Sequence, residues 1–499
     1  MFRVDKFAEQ AQAFRLVVAG GHTPNPAQEK GFHPTKRKIP MSSTTKSIIL
    51  SALTAIFITL LCGSSAAQQH ITGTLPDGAT YVIDVPANWN GNLLLYSHGY
   101  VIPGSPNPAY DYPDPYSAYY FLTEGWAFAG SSYAATGWAV QQAIPDQIST
   151  LDVFQSVVGT PTETIAWGDS LGGMITAGLV QEYPSRFNGA LPMCGVLAGG
   201  VGFWNEALDG AFAFNTLLAG GTLQVVNITN PTQNYTNAEN FLGAAQTTPQ
   251  GQARIALVAA LTDVPGWFYP GTPEPYVYAT QEADQFLWFA NDDFLFPFYL
   301  RAELESRAGG NPSFNTGVNY TTQLNKSINR AEVEALYIAA GLSLTADLAT
   351  LNNAPRISAD PGALTYLSDN IIYNGQLTVP VLTMHTVGDG LVPVEVEKAY
   401  STVIQEAKDS ALLKQTFINR AGHCEFTPAE TITALQNLQT RITTGKWPNL
   451  GSSALNKEAT ALGSTYNILD INNNLVYTAP AFESYQPLQF LRIYDAFTQ

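Results

Sequence analysis

A chain of 499 residues, 45% hydrophobic and 13% charged, has the makeup of a globular protein with a large core, in one decorated domain or two to three ordinary ones. Its 23 Lys+Arg against 40 Asp+Glu give a net charge of −17, with no basic run beyond the N-terminal region. Such a field repels nucleic acid and anionic membrane surfaces, and neither is expected as a partner.

Taken in chain order, the first readable unit is a processing segment. Lys46 precedes an apolar run, Ile48 to Leu61, which ends before the small-x-small site Ser65-Ala66-Ala67. That run suits a secretory signal and is short for a membrane span. A signal peptide over 41–67, cleaved after Ala67, is therefore expected, giving a secreted protein with no stable membrane anchor. Residues 1–40 read as an upstream extension without a functional role. Cleavage leaves two cysteines, Cys194 and Cys424. Two cysteines in an exported protein suggest one disulfide.

From His70 to Gly200, short apolar runs alternate with turns and amphipathic stretches. Leu93 to Tyr96 and Trp126 to Ala129 read as strands buried on both faces. Ile148, Leu151, Phe154 and Val158 recur at helical spacing, and Gly189 to Cys194 is a further strand despite Pro192. Residues 201–375 differ: strand-like runs thin out and aromatics cluster, as in Trp267-Phe268-Tyr269, Phe286-Leu287-Trp288-Phe289 and Phe294-Leu295-Phe296. A mainly helical cap insertion is expected there. The earlier pattern resumes with Val379 to His385 and Gln415 to Ile418. A helix follows with Thr427 as N-cap, Pro428 at its first position and Glu430 completing a capping box. Residues 447–499 read as an irregular tail packing on the core, with a hairpin around Asn472-Asn473-Asn474. The pattern implies an α/β fold: a mostly parallel sheet flanked by helices, its core in 68–200 and 376–446.

One motif carries chemistry. In Thr164-Ile165-Ala166-Trp167-Gly168-Asp169-Ser170-Leu171-Gly172-Gly173, an apolar strand enters a G-x-S-x-G and a helix leaves it. That context fits a nucleophile elbow, a turn so tight that only glycine suits the flanks of the serine. A serine hydroxyl needs a base, usually a histidine oriented by a carboxylate. His423, on the loop after the last predicted strand, is the candidate base. Asp389, in His385-Thr386-Val387-Gly388-Asp389-Gly390-Leu391-Val392-Pro393, is the candidate orienter. Glu425 is a rival acid, too close in sequence to reach round the imidazole easily. His98 reads as structural, His385 as a core or loop residue, and Asp169 as solvated decoration.

The chain resembles the α/β-hydrolase superfamily, in its secreted esterase and lipase-like members, over roughly 80–200 and 376–446. Four elements carry the resemblance: His98-Gly99 after a strand, the elbow, the acid loop and the late Gly422-His423. The order Ser170, Asp389, His423 is that of this superfamily and differs from the trypsin-like and subtilisin-like orders. The resemblance makes Ser170 the nucleophile, His423 general base then acid, and Asp389 its orienter. It places the oxyanion hole at the backbone N–H groups of Leu171 and Tyr100. In part the chain is similar to feruloyl esterases and tannases, which tie a His-Cys to a cysteine beside their serine. Position 169 here is Asp, so a bridge from Cys424 would run to Cys194.

Four histidines after the signal, no H-x-x-x-H pair and no spaced carboxylate cluster give a metal site little to build on. No Walker loop or dinucleotide fingerprint is present, and no cofactor is expected. The expected function is hydrolysis of carboxylic esters with a hydrophobic or aromatic moiety through an acyl-enzyme on Ser170. A small-molecule or polymeric ester is the expected partner. The alternatives are a secreted exopeptidase of the same fold, a lactone or polyester hydrolase, and a non-catalytic binding module. The exopeptidase needs a carboxylate in the cap to hold a substrate amine, for which Glu274, Glu282, Asp284, Asp292 and Asp293 are available.

Overall fold

The computed structural model describes residues 69–471 and 474–498. The upstream extension and the signal peptide expected from the sequence lie outside the described residues. The strands are β1 (Gln69–Thr74), β2 (Thr80–Val85), β3 (Asn92–Ser97), β4 (Ala127–Ser131), β5 (Glu163–Asp169), β6 (Gly189–Met193), β7 (Val381–Gly388), β8 (Leu413–Ala421), β9 (Ile468–Ile471), β10 (Asn474–Tyr477) and β11 (Phe482–Glu483). All but β9 and β10 join one sheet in the order β1-β2-β4-β3-β5-β6-β7-β8-β11. Pairing is parallel from β4 through β8, with β1, β2 and β11 antiparallel at the edges. This is the α/β-hydrolase fold. Its crossed order sets β5 at mid-sheet, so the loops leaving β3, β5, β7 and β8 gather at one end.

Alternation along the strands sends side chains to two separate layers. Leu93 and Leu95 of β3 join a cluster with Ile144, Leu151, Met174 and Ile175. Leu94 and Tyr96 join the opposite one, with Trp167, Leu191, Ile432, Leu435 and Leu438. Helices Val140–Val157 and Leu171–Glu182 cover the first face; Pro115–Thr123 and Pro428–Thr444 cover the second. Pro192 sits within β6 as a paired residue opposite Gly168.

Between β6 and β7 lie nine helices, from Gly199–Leu217 to Pro361–Asp369, and two π-helical turns, Phe289–Asp293 and Phe296–Leu300. Their buried residues, including Trp204, Phe214, Phe294 and Tyr320, belong to the same cluster as the first face of the sheet. Arg301 is fully buried there; it donates to Ser313 Oγ and the Trp204 carbonyl and lies over the Trp204 ring. The tail departs from expectation. It contains a helix, Ser452–Ala461, packed on Pro428–Thr444, and its last residues reach the insertion as well as the core. Arg492 donates to Asp209 at 2.6 Å and to the Phe314 carbonyl. The helix escaped notice because only Leu455 and Ala459 are buried along it, too few for a periodic signal.

Two devices fix the loop from Ala421 to Thr427. Arg420, at the end of β8, makes a bidentate pair with Glu430 at 2.8 and 3.0 Å and donates to the Glu425 carbonyl. Glu430 also accepts from the backbone N–H of Thr427, closing the capping box, and of Ala481. Beside this clamp, the Cys194 and Cys424 sulfurs are joined at 2.03 Å, tying the end of β6 to the residue after His423. A peptide map run without reductant should contain a linked pair carrying Cys194 and Cys424; two unlinked peptides would refute the bridge. The bridge closes a 230-residue separation, so Cys424→Ser should cost about 2–4 kcal/mol in urea unfolding. Arg420→Ala strands the buried Glu430 carboxylate and should cost about 3–5 kcal/mol in the same assay. Arg420→Lys should fall between, since an ammonium cannot make the planar double contact.

Candidate active site

The site begins with a strained residue. β5 ends at Asp169, and Ser170 stands before helix Leu171–Glu182 at φ 58° and ψ −126°. A non-glycine residue pays for such a backbone with one to a few kcal/mol, which the surroundings must offset. Here they do so on two sides. The Ser170 N–H donates to the Met193 carbonyl of β6 at 3.0 Å, and a Cβ added at Gly172 would run into the Ser97 backbone. A side chain at Gly168 would meet Ser97 and Gly172 in the same way.

The turn aims Ser170 Oγ at His423. Oγ lies 2.8 Å from His423 Nε2, and His423 Nδ1 lies 2.7 Å from Asp389 Oδ2. Asp389 is fully buried; its Oδ1 accepts from the backbone N–H groups of Leu391 and Val392, each at 3.0 Å. Burial alone would raise its pKa, but the charge and hydrogen bonds of His423 and His385 outweigh that and hold it below the usual value. The Glu425 side chain packs against Gly422, and its carbonyl accepts from Arg420. The structure thus brings Ser170, His423 and Asp389 together from the ends of β5, β8 and β7. Cys424 Sγ lies 3.4 Å from His423 Nε2, so the bridge sits beside the ring nitrogen that faces Ser170.

The loop His98-Gly99-Tyr100 abuts the elbow, since a Cβ on Gly99 would come within 3.3 Å of Ser170 Cβ. His98 holds that loop: its ring nitrogens lie 2.7 Å from the Gly99 carbonyl and 3.1 Å from that of Ser132, and its ring stacks on Tyr133. Leu171 follows Ser170 at the start of its helix, and Tyr100 follows Gly99 in this loop. One sequence expectation is corrected here. Asp169 is buried, and Tyr96 Oη donates to it at 2.5 Å, so it braces the elbow from behind. His385 lies 3.4 Å from Asp389 Oδ2, one step behind the acid. Nothing in the local sequence marks the Tyr96 partner of Asp169. The four-residue spacing of His385 and Asp389 was visible, but the bend that brings them together was not.

The insertion closes over the acid loop. Trp267 packs on Gly388 and Trp288 on Gly390, and the Trp288 indole donates to the Trp267 carbonyl. Next to them is a pocket lined by Phe203, Phe289, Phe294, Phe296, Leu391 and others. Phe296 also packs edge-on against Tyr100. The cavity therefore borders the acid loop at one end and the Tyr100 loop at the other. Glu206 and Asp293 are among its walls, and burial pushes both carboxyls well above their ordinary pKa. Among the described residues, no group of three or more His, Cys, Asp or Glu side chains is placed to hold a metal ion.

No family model matches the chain. Among solved structures it is similar to feruloyl esterase B from Aspergillus oryzae, at a TM-score of 0.42 and 14% identity over 76% of this chain and 82% of that one. It is also similar to an acylaminoacyl peptidase, at 0.35 and 10% over 76% and 41%. In sequence it is 31% identical over 441 residues to the o-phthalyl amidase of Xanthobacter agilis, a match spanning 79% of this chain and 93% of that protein. The chain is a hydrolase and belongs to the family of that amidase.

Proposed function

We propose that this protein is an exported serine hydrolase that cleaves carboxylic esters and amides of aromatic or other apolar acyl groups through an acyl-enzyme on Ser170. The reading is carried by the row Ser170 Oγ, His423 Nε2, His423 Nδ1 and Asp389 Oδ2, with contacts of 2.8 and 2.7 Å. In acylation, His423 Nε2 takes the Ser170 proton as Oγ bonds to the substrate carbonyl carbon. The N–H groups of Leu171 and Tyr100 receive the oxyanion, each contributing roughly 3 kcal/mol to transition-state stabilisation. Collapse breaks the bond to the alkoxide or amine, which leaves with the proton from His423. Water then enters by the same route in reverse, and the acid is released. Asp389 stays ionised throughout and holds Nδ1–H in place.

Two observations bear on the substrate. The aromatic cavity between the acid loop and Phe296 suits a flat apolar acyl group. The relative's name makes it an amidase of the o-phthalyl group, an aromatic acyl, and this brings amides beside the esters expected from sequence. The exopeptidase reading loses ground. Glu282 is engaged by Gln246 and Asp284 by the Phe268 N–H, while Glu274 is exposed. Asp293 lines the cavity but favours its neutral form, which holds an ammonium poorly. Among the described residues no single helix is long and apolar enough to cross a membrane. Export rests on the N-terminal signal, and N-terminal sequencing of protein recovered outside the cell should begin at Gln68.

Wild-type protein should label with a fluorophosphonate probe, and Ser170→Ala should not; labelling of the mutant would remove the serine from its role. Asp389→Asn and His423→Ala should each lower kcat by several orders of magnitude in protein that still folds. Against a panel of benzoyl and phthalyl esters and amides, long-chain esters, polyester and aminoacyl anilides, the aromatic acyl substrates should lead. Phe296→Ala should lower kcat/KM for them about tenfold and leave short acetyl esters little changed. Preference for aminoacyl anilides would overturn the substrate assignment.

A further inference from the structure

His385 continues the catalytic row. It is fully buried, and its two ring nitrogens meet only oxygen acceptors. Nε2 lies 2.9 Å from the Val392 carbonyl and 3.4 Å from Asp389 Oδ2. Nδ1 lies 3.3 Å from Glu397 Oε1. A neutral imidazole has one unprotonated nitrogen, which would here press its lone pair against an oxygen; only the imidazolium donates from both.

The flanking carboxyls also accept hydrogen bonds from other donors. Glu397 Oε2 accepts from Thr383 Oγ1 at 2.6 Å and Gln415 Nε2 at 2.5 Å. Asp389 Oδ1 accepts from two backbone N–H groups. Both carboxylates are fully buried, and among the described residues Glu397 has no ion-pair partner except His385. Two buried anions so placed call for a cation between them.

We propose that His385 is a permanent imidazolium that positions and charge-balances Asp389, extending the triad to a five-residue row of Ser170, His423, Asp389, His385 and Glu397. It touches neither substrate nor reacting atoms, so it acts as a positioning residue. The proposal rests on the assignment of Asp389 as the triad acid. By drawing on the same Asp389 Oδ2 that orients His423, the fixed cation tempers the pull of Asp389 on the His423 proton. It thereby keeps His423 unprotonated, and competent as a base, to lower pH. Burial alone would lower the pKa of His385, but its contacts with Asp389 and Glu397 outweigh that and push it up to about 10. Of the other titratable groups around it, burial pushes Glu395, just before the helix that carries Glu397, up to about 7, and Asp293, which approaches Asp389 from the insertion, well above its ordinary value. His423 is the facing group that becomes cationic in the reaction.

The first test is nitrogen-15 NMR of histidine-labelled Ser170→Ala protein, with the signal assigned by its loss in His385→Gln. Both His385 nitrogens should read as protonated from pH 6 to pH 9. A single neutral tautomer at pH 7.5 would overturn the proposal. The second is the pH profile of the double variant His385→Gln/Glu397→Gln, which removes the pair without stranding either charge. Its acid limb in kcat/KM should move up by about 0.5–1 pH unit with KM at saturating pH little changed. A limb that stays at the wild-type position refutes the electrostatic role. A purely structural role for His385 would lower the amount of probe-labelled enzyme without moving the limb. The NMR reading needs no catalysis and stands even where the variant fails to fold. Failure of Ser170 to label would remove the catalytic assignment while leaving the protonation of His385 decided on its own.

Discussion

The structure turns on one buried negative charge. Asp389 has no exposure to water, and an isolated carboxylate in such a place would give up its charge and take a proton. Its surroundings prevent that with two backbone N–H donors from its own loop and an imidazole on each side. These donors come from the acid loop, from β7 and from the loop after β8. The acid loop turns back on itself after β7, β8 and its clamp deliver His423, and helix Val396–Ala407 brings Glu397 to complete the far end.

The same charge explains why the insertion is more than a lid. Trp267 and Trp288 lie against the glycines on either side of Asp389, where a larger side chain would not fit. They exclude water from the acid loop, which strengthens every electrostatic contact inside it. The insertion also shares one continuous hydrophobic cluster with the sheet, and Arg492 in the tail pins it through Asp209. Removing it would open the core as well as the site.

Strain and restraint are balanced around Ser170 in the same manner. Ser170, Cys194 and Cys424 all have positive φ, a conformation that side chains other than glycine resist. They occupy adjoining positions: β6 receives the Ser170 N–H, and the bridge joins the end of β6 to the residue after His423. A covalent tie at this point holds the histidine loop in register with the elbow, two features that are 253 residues apart in the chain.

The sequence by itself determined the fold class and singled out Ser170, Asp389 and His423, which the structure brings within hydrogen-bond distance of one another. The signals are local and chemically specific: buried strands read from apolar runs, the elbow from its glycines, and the helix at Pro428 from its capping box, which forms as expected. Scarcity helped as well, because few histidines were available to serve as base. Only the tertiary structure decided the surroundings of those residues. Asp169 read as a solvated residue because its partner, Tyr96, lies 73 positions away on another strand. His385 read as an ordinary core histidine because its meaning depends on a bend at Gly388 and on Glu397 one helix later. The aromatic runs of the insertion announced burial but not which wall they would build. Such roles arise from non-local packing, where a side chain's charge and partners are set by elements that the chain brings together only when it closes.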